Sequence, residues 1–446
     1  MGTRGASTIE WEIPAFVRSV LKRLHGEGHQ AYVVGGAVRD LRMGRPATDW
    51  DVTTSASPQE IRAVFERLRS FSLKHETVTL VYKGRHYEVT SFRGPKQTLE
   101  DDLQHRDFTI NAMAYDMEKS VIIDPWGGWR DIEKRVVRGV VGPEDRFRED
   151  PLRLIRAVRF AVELGFRIEK KTFKAILSMA EAITTAAPER VRDEMIRVLV
   201  CENPSQGLHL LRETGLLGWI LPELVEEEKG KGKVVAQVAP DPVLRLSALF
   251  SISARSASLD HGTKGDKAVN SIMGRFFFSK RMIRQVAKLV GEERALADYH
   301  SSWSDGDLRR FVRRVGAENL ETLVALRKAN LAILGKEAQE PLRRLEEVQA
   351  RIRGLMKTPL VRGPQDLAID GSKVMGIMRL SPGPEVGRIL KHLSEELVDH
   401  PEWNTRTKLV AMLKRMKPPA LTEHSESVGE IHGTAGRLKT RAQPKS

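Results

Sequence analysis

Apolar residues come in short blocks in the first third of the chain and at helical spacing in the rest, which divides the sequence before any motif is considered. Residues 15–27 have the pattern of an amphipathic helix. They lead into AYVV (31–34), which reads as a strand, and then into the β-rich segments WDVTTSA, TVTLVY, HYEVTSF, NAMAY and SVIID. Between the early strands lies SPQEIRAVFERL, where Ser57 followed by Pro58 and Glu60 forms a capping box and predicts a helix. The first ~140 residues are therefore expected to be α/β. Beyond them EDPLRLIRAVRFAVELGF, ERVRDEMIRVLV and PSQGLHLLRETGLL are helical in period, and further helices are predicted near 280–297, 305–332, 338–355 and 384–398. Residues 226–242 and 254–270 are polar and Gly-rich and read as long surface loops. From residue 418 onward apolar periodicity is lost and a disordered tail is expected. There is no internal repeat or heptad array.

Length and charge sharpen this picture. At ~150 residues per domain, 446 residues suggest two to four compact units. Lys and Arg number 73 against 59 Asp and Glu, a formal net charge of +14, so a polyanionic partner is favoured: nucleic acid first, an anionic membrane surface second. The single cysteine, Cys201, excludes an intramolecular disulfide and a Cys-rich zinc site and fits a reducing compartment, the cytoplasm by default. Charges precede any apolar run at the start, Ala6 breaks a myristoylation pattern, and no stretch reaches the ~18 apolar residues of a membrane span, so a soluble protein without a membrane partner is expected.

The candidate chemistry lies between residues 35 and 160. Gly35 and Gly36 follow the AYVV strand and precede a helix starting near Ala37, which is a place for a phosphate or simply a tight turn. Asp49 and Asp51 flank Trp50; on a strand they share one face, and two adjacent carboxylates suit Mg²⁺ or, equally, a solvated strand end. Glu88 in RHYEVTSF would add a third carboxylate if its strand lies beside theirs, an arrangement for two-metal phosphoryl transfer. Arg106 and Asp107 stand at the entrance to the NAMAY strand, where they could bind a nucleotide or pair with each other. If a helix begins near Pro151 with Asp150 at its N-cap, Arg153, Arg156 and Arg159 span an arc of ~120°. Taken alone, these arginines read as a solvated basic face. The Asp260–His261 pair in DHG has no partner constellation and is not read as a metal site.

In this order, VGGAVRD, TDWDVTTSASPQEI, YEVTSFR, RDFTINAMAYD, IIDPWGGWRDI and RFREDPLRLIRAVRFAVELGF resemble the class II tRNA nucleotidyltransferases and bacterial poly(A) polymerases. ERVRDEMIRVL matches the family's next helical motif. LAIDGSKVMGIMRLSPGPEVGRILKHL resembles the tail of the tRNA nucleotidyltransferases and favours them over poly(A) polymerases. The resemblance implies an α+β protein, seahorse-shaped, with a polymerase-β-like head (a small mixed sheet with helices) and an all-helical neck, body and tail. The expected spans are a catalytic head over 1–140, a base-recognising neck over 141–200, a tRNA-binding body over 201–333, a tRNA-binding tail over 334–417, and the disordered remainder. Carried over, Asp49 and Asp51 bind Mg²⁺, with Glu88 the third carboxylate. Gly35, Gly36 and Arg39 contact the triphosphate. Arg106, Asp107, Asp150, Arg153, Arg156 and Arg159 line the nucleotide pocket, with Asp150 and Arg153 reading the base edge and Glu149 steadying them.

The implied reaction is attack by a tRNA 3′-hydroxyl on the α-phosphorus of a nucleoside triphosphate, with release of pyrophosphate. Two departures narrow it. His105 stands where the family usually has the first of two arginines, and Glu88 and Asp107 are separated only by VTSFRGPKQTLEDDLQHR. Complete CCA-adding enzymes carry a longer flexible loop there; enzymes that add only the terminal A lack it and work beside a separate CC-adding enzyme. The expectation is ATP-dependent addition of the last adenosine to a tRNA ending in CC. The alternatives are a complete CCA-adding enzyme that also uses CTP, a poly(A) polymerase, and a non-catalytic RNA-binding homologue.

Overall fold

In the computed structural model, which describes residues 11–72, 76–225, 230–251 and 264–416, the short apolar runs assemble into one mixed sheet. Its strands are β1 (Ala31–Val34), β2 (Asp51–Thr54), β3 (Arg69–Ser72), β4 (Thr77–Tyr82), β5 (Arg85–Ser91), β6 (Ala114–Asp116) and β7 (Val121–Ile123). They lie in the order β3-β4-β5-β2-β1-β6-β7. All neighbours are antiparallel except β2 and β5, which run parallel with Val52 opposite Val89 and Thr53 opposite Thr90.

The two-residue period gives the sheet two different faces. Val33, Val52 and Val89 join the main core with Val17, Leu21 and Leu24 of α1 (Ala15–Gly26), Ile61 of α3 (Pro58–Val64) and the adjoining Phe65. The capping box forms as the sequence predicts: Ser57 accepts from the Glu60 amide at 3.3 Å and its own amide donates to Glu60 at 2.7 Å. Asp51 and Thr53 alternate with Val52 on the other face, where Leu103 of α4 (Leu99–Gln104) packs against Val34 and Ala114. The core side holds the head together and leaves the opposite side for polar groups.

After β7 come α5 (Gly128–Glu133) and a two-stranded ribbon, β8 (Val136–Val137) with β9 (Arg167–Ile168). Between the ribbon strands lie α6 (Pro143–Glu149) and α7 (Leu152–Leu164). Then follow α8 (Lys170–Met179) and α9 (Pro188–Val200), and the chain continues helical. Leu154, Ile155 and Val158 of α7 and Val191, Met195 and Val198 of α9 belong to the same core as the sheet. The architecture is α+β, a mixed-sheet head followed by helices, as the resemblance implies.

The chain divides into two compact units: 1–303 with 314–352, and 304–313 with 353–446. In the second, Val374, Ile389, Leu393, Leu397, Leu409 and Leu413 form a separate core from the helices Gly371–Met378, Pro384–Asp399 and Arg406–Arg415. Among the described residues no helix is long and apolar enough to cross a membrane.

Several local readings change. The loop expected over 226–242 contains the helix Lys231–Gln237, seated by buried Val234 and Val235. Of the loop expected over 254–270, residues 254–263 lie outside the described residues and the rest belongs to the helix Lys264–Arg275, whose Val269, Ile272 and Met273 recur at helical spacing and are buried. The single helix expected over 305–332 is broken at Gly316, whose φ of 89° no helix accommodates. The DHG pair and the tail beyond residue 418 lie outside the described residues.

Candidate active site

Asp51 is the first residue of β2 and Asp49 lies two residues before it, while Trp50 between them turns into the core, 8% exposed, with its indole N–H donating to the Ala47 carbonyl at 3.2 Å. Glu88 stands one step before the Val52–Val89 pair on β5 and so level with Asp51. Burial and the nearby Asp49 raise the Asp51 carboxyl to about 6, and burial with Asp49 also pushes Glu88 up. Among the described residues no three His, Cys, Asp or Glu side chains form a metal-holding group by themselves. The strands are therefore neighbours, as the third-carboxylate reading requires, but Glu88 does not complete a three-ligand cage with the aspartates. Two mutually repelling carboxylates still fit Mg²⁺, which takes one or two carboxylates and draws its other ligands from water and phosphate.

This repulsion has a measurable consequence in divalent-free buffer. Because the folded carboxyl of Asp51 titrates above its unfolded value, the folded state binds the extra proton between about pH 4 and 6, and stability falls as pH rises through that window. Asp51→Asn is expected to raise the melting temperature at pH 7 in the presence of EDTA, with the gain gone at pH 4. Thermal melts at the two pH values check this; a variant no more stable at pH 7 would contradict it.

Beside the acids, Gly35 has a φ of 73°, and a Cβ there would sit 3.1 Å from Nη1 of Arg106 and 3.7 Å from Oδ2 of Asp51. Glycine is required both by the turn and by what lies over it. Gly36 opens α2 (Gly36–Arg42), and Arg39 on that helix donates to Asp40 (2.9 Å) and to Asn111 Oδ1 (2.6 Å). Arg106 and Asp107 do not pair with each other. Arg106 donates to the buried Asp102 at 3.1 Å, whereas Asp107 takes both Nε (3.0 Å) and Nη2 (2.6 Å) of Arg156. Burial alone would raise the Asp107 carboxyl, but Arg156 and the Asn111 amide hold it well below the usual range. Burial likewise disfavours the Arg156 cation, yet Asp107 and Glu194 keep it charged.

The arginine helix differs from expectation at its start. α7 begins at Leu152 with Pro151 at its cap, and Asp150 is the residue that closes α6. Asp150 still accepts the Leu152 amide at 3.2 Å, and both its oxygens are held by Arg190 of α9 at 3.3 and 2.9 Å. Arg153 donates to Glu149 (3.0 Å) and to the carbonyls of Arg146 (3.1 Å) and His105 (2.8 Å), so Glu149 does support it. Arg159 lies behind the others. It is 2% exposed and ion-paired with Glu194 and Glu163, and burial lowers its guanidinium to about 10. Phe160 underlies three guanidinium groups, with Arg39, Arg156 and Arg159 at 5.2, 5.2 and 4.0 Å from its ring centre.

A continuous polar chain results: Arg39–Asn111–Asp107–Arg156–Glu194–Arg159, joining α2, the RD segment, α7 and α9. Asn111, Asp102, Glu194 and Arg190 are absent from the residues singled out in the sequence. The signal for Glu194 is its place four residues after Arg190 in ERVRDEMIRVL, on one helix face; nothing local marks Asp102 within LEDDLQH.

Three family models match the chain: the poly A polymerase head domain over residues 31–138, a probable RNA and SrmB-binding site of polymerase A over 165–227, and a putative tRNA nucleotidyltransferase domain 2 over 257–413. The chain is 33% identical over 408 residues to a CCA-adding enzyme of Geobacillus thermodenitrificans, covering 88% of this chain and 95% of that protein. It is 32% identical over 410 residues to one from Lactobacillus delbrueckii subsp. bulgaricus, covering 88% and 96%. Among solved structures it resembles the Bacillus stearothermophilus CCA-adding enzyme in complex with CTP, with 31% identity, a TM-score of 0.70, and coverage of 90% of this chain and 97% of that one. It shares the fold of the Thermotoga maritima CCA-adding enzyme complexed with tRNA at 20% identity and a TM-score of 0.61, covering 90% and 95%.

Proposed function

This chain belongs to the class II tRNA nucleotidyltransferases, and from that premise we propose that it adds the terminal adenosine, from ATP, to tRNA ending in CC. The observation that carries the finer reading is the connection between β5 and α4, residues 92–98. It is short and tied down along its length: Phe92 donates its amide to Thr54 at 2.8 Å, Arg93 to Asp102 at 3.3 Å and Lys96 to Asp101 at 2.8 Å. Such a segment has no slack with which to reshape the base site between a pyrimidine and a purine. One base specificity follows from one arrangement of Asp150 and Arg153.

The chain's own residues then have these roles. Gly35, Gly36, Arg39 and Arg106 receive the triphosphate. Asp150 and Arg153 offer the base edge an acceptor and donors, and a base whose edge does not match them forfeits those hydrogen bonds. Asp107 and Glu194 fix Arg156 in place, and Arg159 holds Glu194 from behind. Asp49 and Asp51 would hold Mg²⁺, which when bound assists ionisation of the tRNA 3′-hydroxyl and offsets charge on the pyrophosphate. Basic residues hold the RNA chiefly by its backbone. Pyrophosphate leaves as product, and a separate enzyme supplies the CC-ended substrate.

A second reading, complete CCA addition with both CTP and ATP, is favoured by one observation: the full-length relatives are named CCA-adding enzymes. Poly(A) synthesis is separated by product length. With labelled ATP and a CC-ended tRNA, we expect one adenosine per molecule and then arrest, resolved on a sequencing gel; long A tails would overturn the assignment.

A further inference from the structure

The connection that limits mobility also delivers a cation to the site. Arg93 is fixed at its backbone by Asp102, and Gly94 next to it has a φ of 91°, where a Cβ would collide with the Asp101 carboxylate. Gln97 closes the turn onto the Gly94 carbonyl at 3.3 Å, and Thr98 caps α4. The direction in which Arg93 leaves the chain is therefore set by α4 and does not depend on its own side-chain contacts.

Those contacts are few. Nε of Arg93 is buried without a hydrogen-bond acceptor among the described residues, and its ion pair, with Asp102, is long at 3.9 Å. Asp102 is already committed, because it accepts from Thr53 (3.2 Å) and Arg106 (3.1 Å) as well as from the Arg93 amide. Asp107, the other carboxylate whose charge reaches Arg93, is bound by Arg156, Asn111 and the Phe108 amide. Arg93 and Arg106 thus share the one Asp102 carboxylate, and burial together with the like charges of Arg106 and Arg153 weighs against the Arg93 cation. Asp102, which Arg93 meets, also holds Arg106, and Nη1 of Arg106 lies over Gly35 together with Oδ2 of Asp51, so one chain of contacts links Arg93 to the candidate metal-binding acids. A polyanion close to those acids would supply the missing acceptor and relieve the repulsion.

We propose that Arg93 is a binding residue for the triphosphate of the incoming nucleotide, presented by the pinned connection between β5 and α4. This rests on the nucleotidyltransferase reading of the site. A monophosphate, which lacks the outer two phosphates, is not expected to need it.

Equilibrium binding of ATP and of AMP to the purified protein, compared between the unaltered chain and the variants Arg93→Ala and Arg93→Lys, tests this. Arg93→Ala should weaken ATP binding about tenfold while leaving AMP within about twofold, and Arg93→Lys should recover part of the loss, keeping the charge without the fork. Equal weakening of both ligands would show that Arg93 only supports the fold of the connection, and unchanged ATP binding would show no contact; either overturns the proposal while leaving the nucleotidyltransferase reading intact. If the unaltered protein binds neither ATP nor CTP, that reading fails and this proposal with it.

Discussion

Asp49→Ala is expected to lower the single-turnover rate of adenosine transfer to a CC-ended tRNA by about a thousandfold or more, in line with losses seen when charge stabilisation is removed from a reacting centre. Asp51 opens β2 and Asp49 lies two residues before it, with Trp50 locking the segment between them into the core. Burial and then the charge of Asp49 raise the Asp51 carboxyl, so the two acids repel each other. Removing one leaves the fold and the basic surfaces untouched. The tRNA dissociation constant should therefore stay within about twofold, measured by filter binding alongside the rate. Equal loss of transfer and of tRNA binding would make Asp49 a structural residue. A fully active variant would remove it from the site, and absence of transfer in the unaltered protein would favour the RNA-binding alternative.

Glu194→Ala carries the second large expectation, on stability. Glu194 is 6% exposed and faces two cations, Arg156 at 3.4 Å and the almost fully buried Arg159 at 2.5 Å. Truncating one member of a buried ion pair costs about 3–5 kcal/mol, because the remaining charge is left without water or partner. Arg159 keeps only Glu163, which it shares with Arg197. The melting temperature should fall by several degrees. The KM for ATP should rise as well, since Arg156 loses a support and Asp107 alone must hold it. Glu194→Gln, which retains an acceptor without the charge, should fall between. A melt unchanged in Glu194→Ala would contradict the buried pairing.

What could be read in advance followed from local pattern. The strand AYVV, the Ser57 capping box, Gly35 at the turn and the helical period of α7 and α9 each depend on neighbours a few residues apart, and all are found. The strand β3, which follows the SPQEIRAVFERL stretch, is short and polar and pairs only with β4 at the sheet edge, so its four residues carry no strand pattern of their own, and the helix before it ends early, at Val64. The helix α4 was hidden in an acidic run, although Thr98 at its cap and three acids in its first turn suit a helix start. The helices inside the two expected loops were masked by glycine and lysine between their few buried residues.

In the site, the identities of Asp49, Asp51, Arg39 and the arginine helix were legible, but their partners were not. Asp107 meets Arg156 across 49 positions and Asp150 meets Arg190 across 40, distances over which no periodicity carries information. The reading of Arg159 as a pocket residue shows the same limit. Its spacing matches Arg153 and Arg156, yet the packing of α9 against α7 brings Glu194 over it. Arg93 closes the YEVTSFR segment, but its significance lies in the fold of the connection and not in its residue type.

A single base specificity is what sets terminal-adenosine addition apart from complete CCA addition at this site. The most direct test supplies a tRNA lacking all three CCA nucleotides with CTP and ATP together and resolves the product by length and sequence. No CMP should be added to that substrate, while a tRNA already ending in CC gains one adenosine in the same mixture. A product extended by CCA on the truncated tRNA would contradict it.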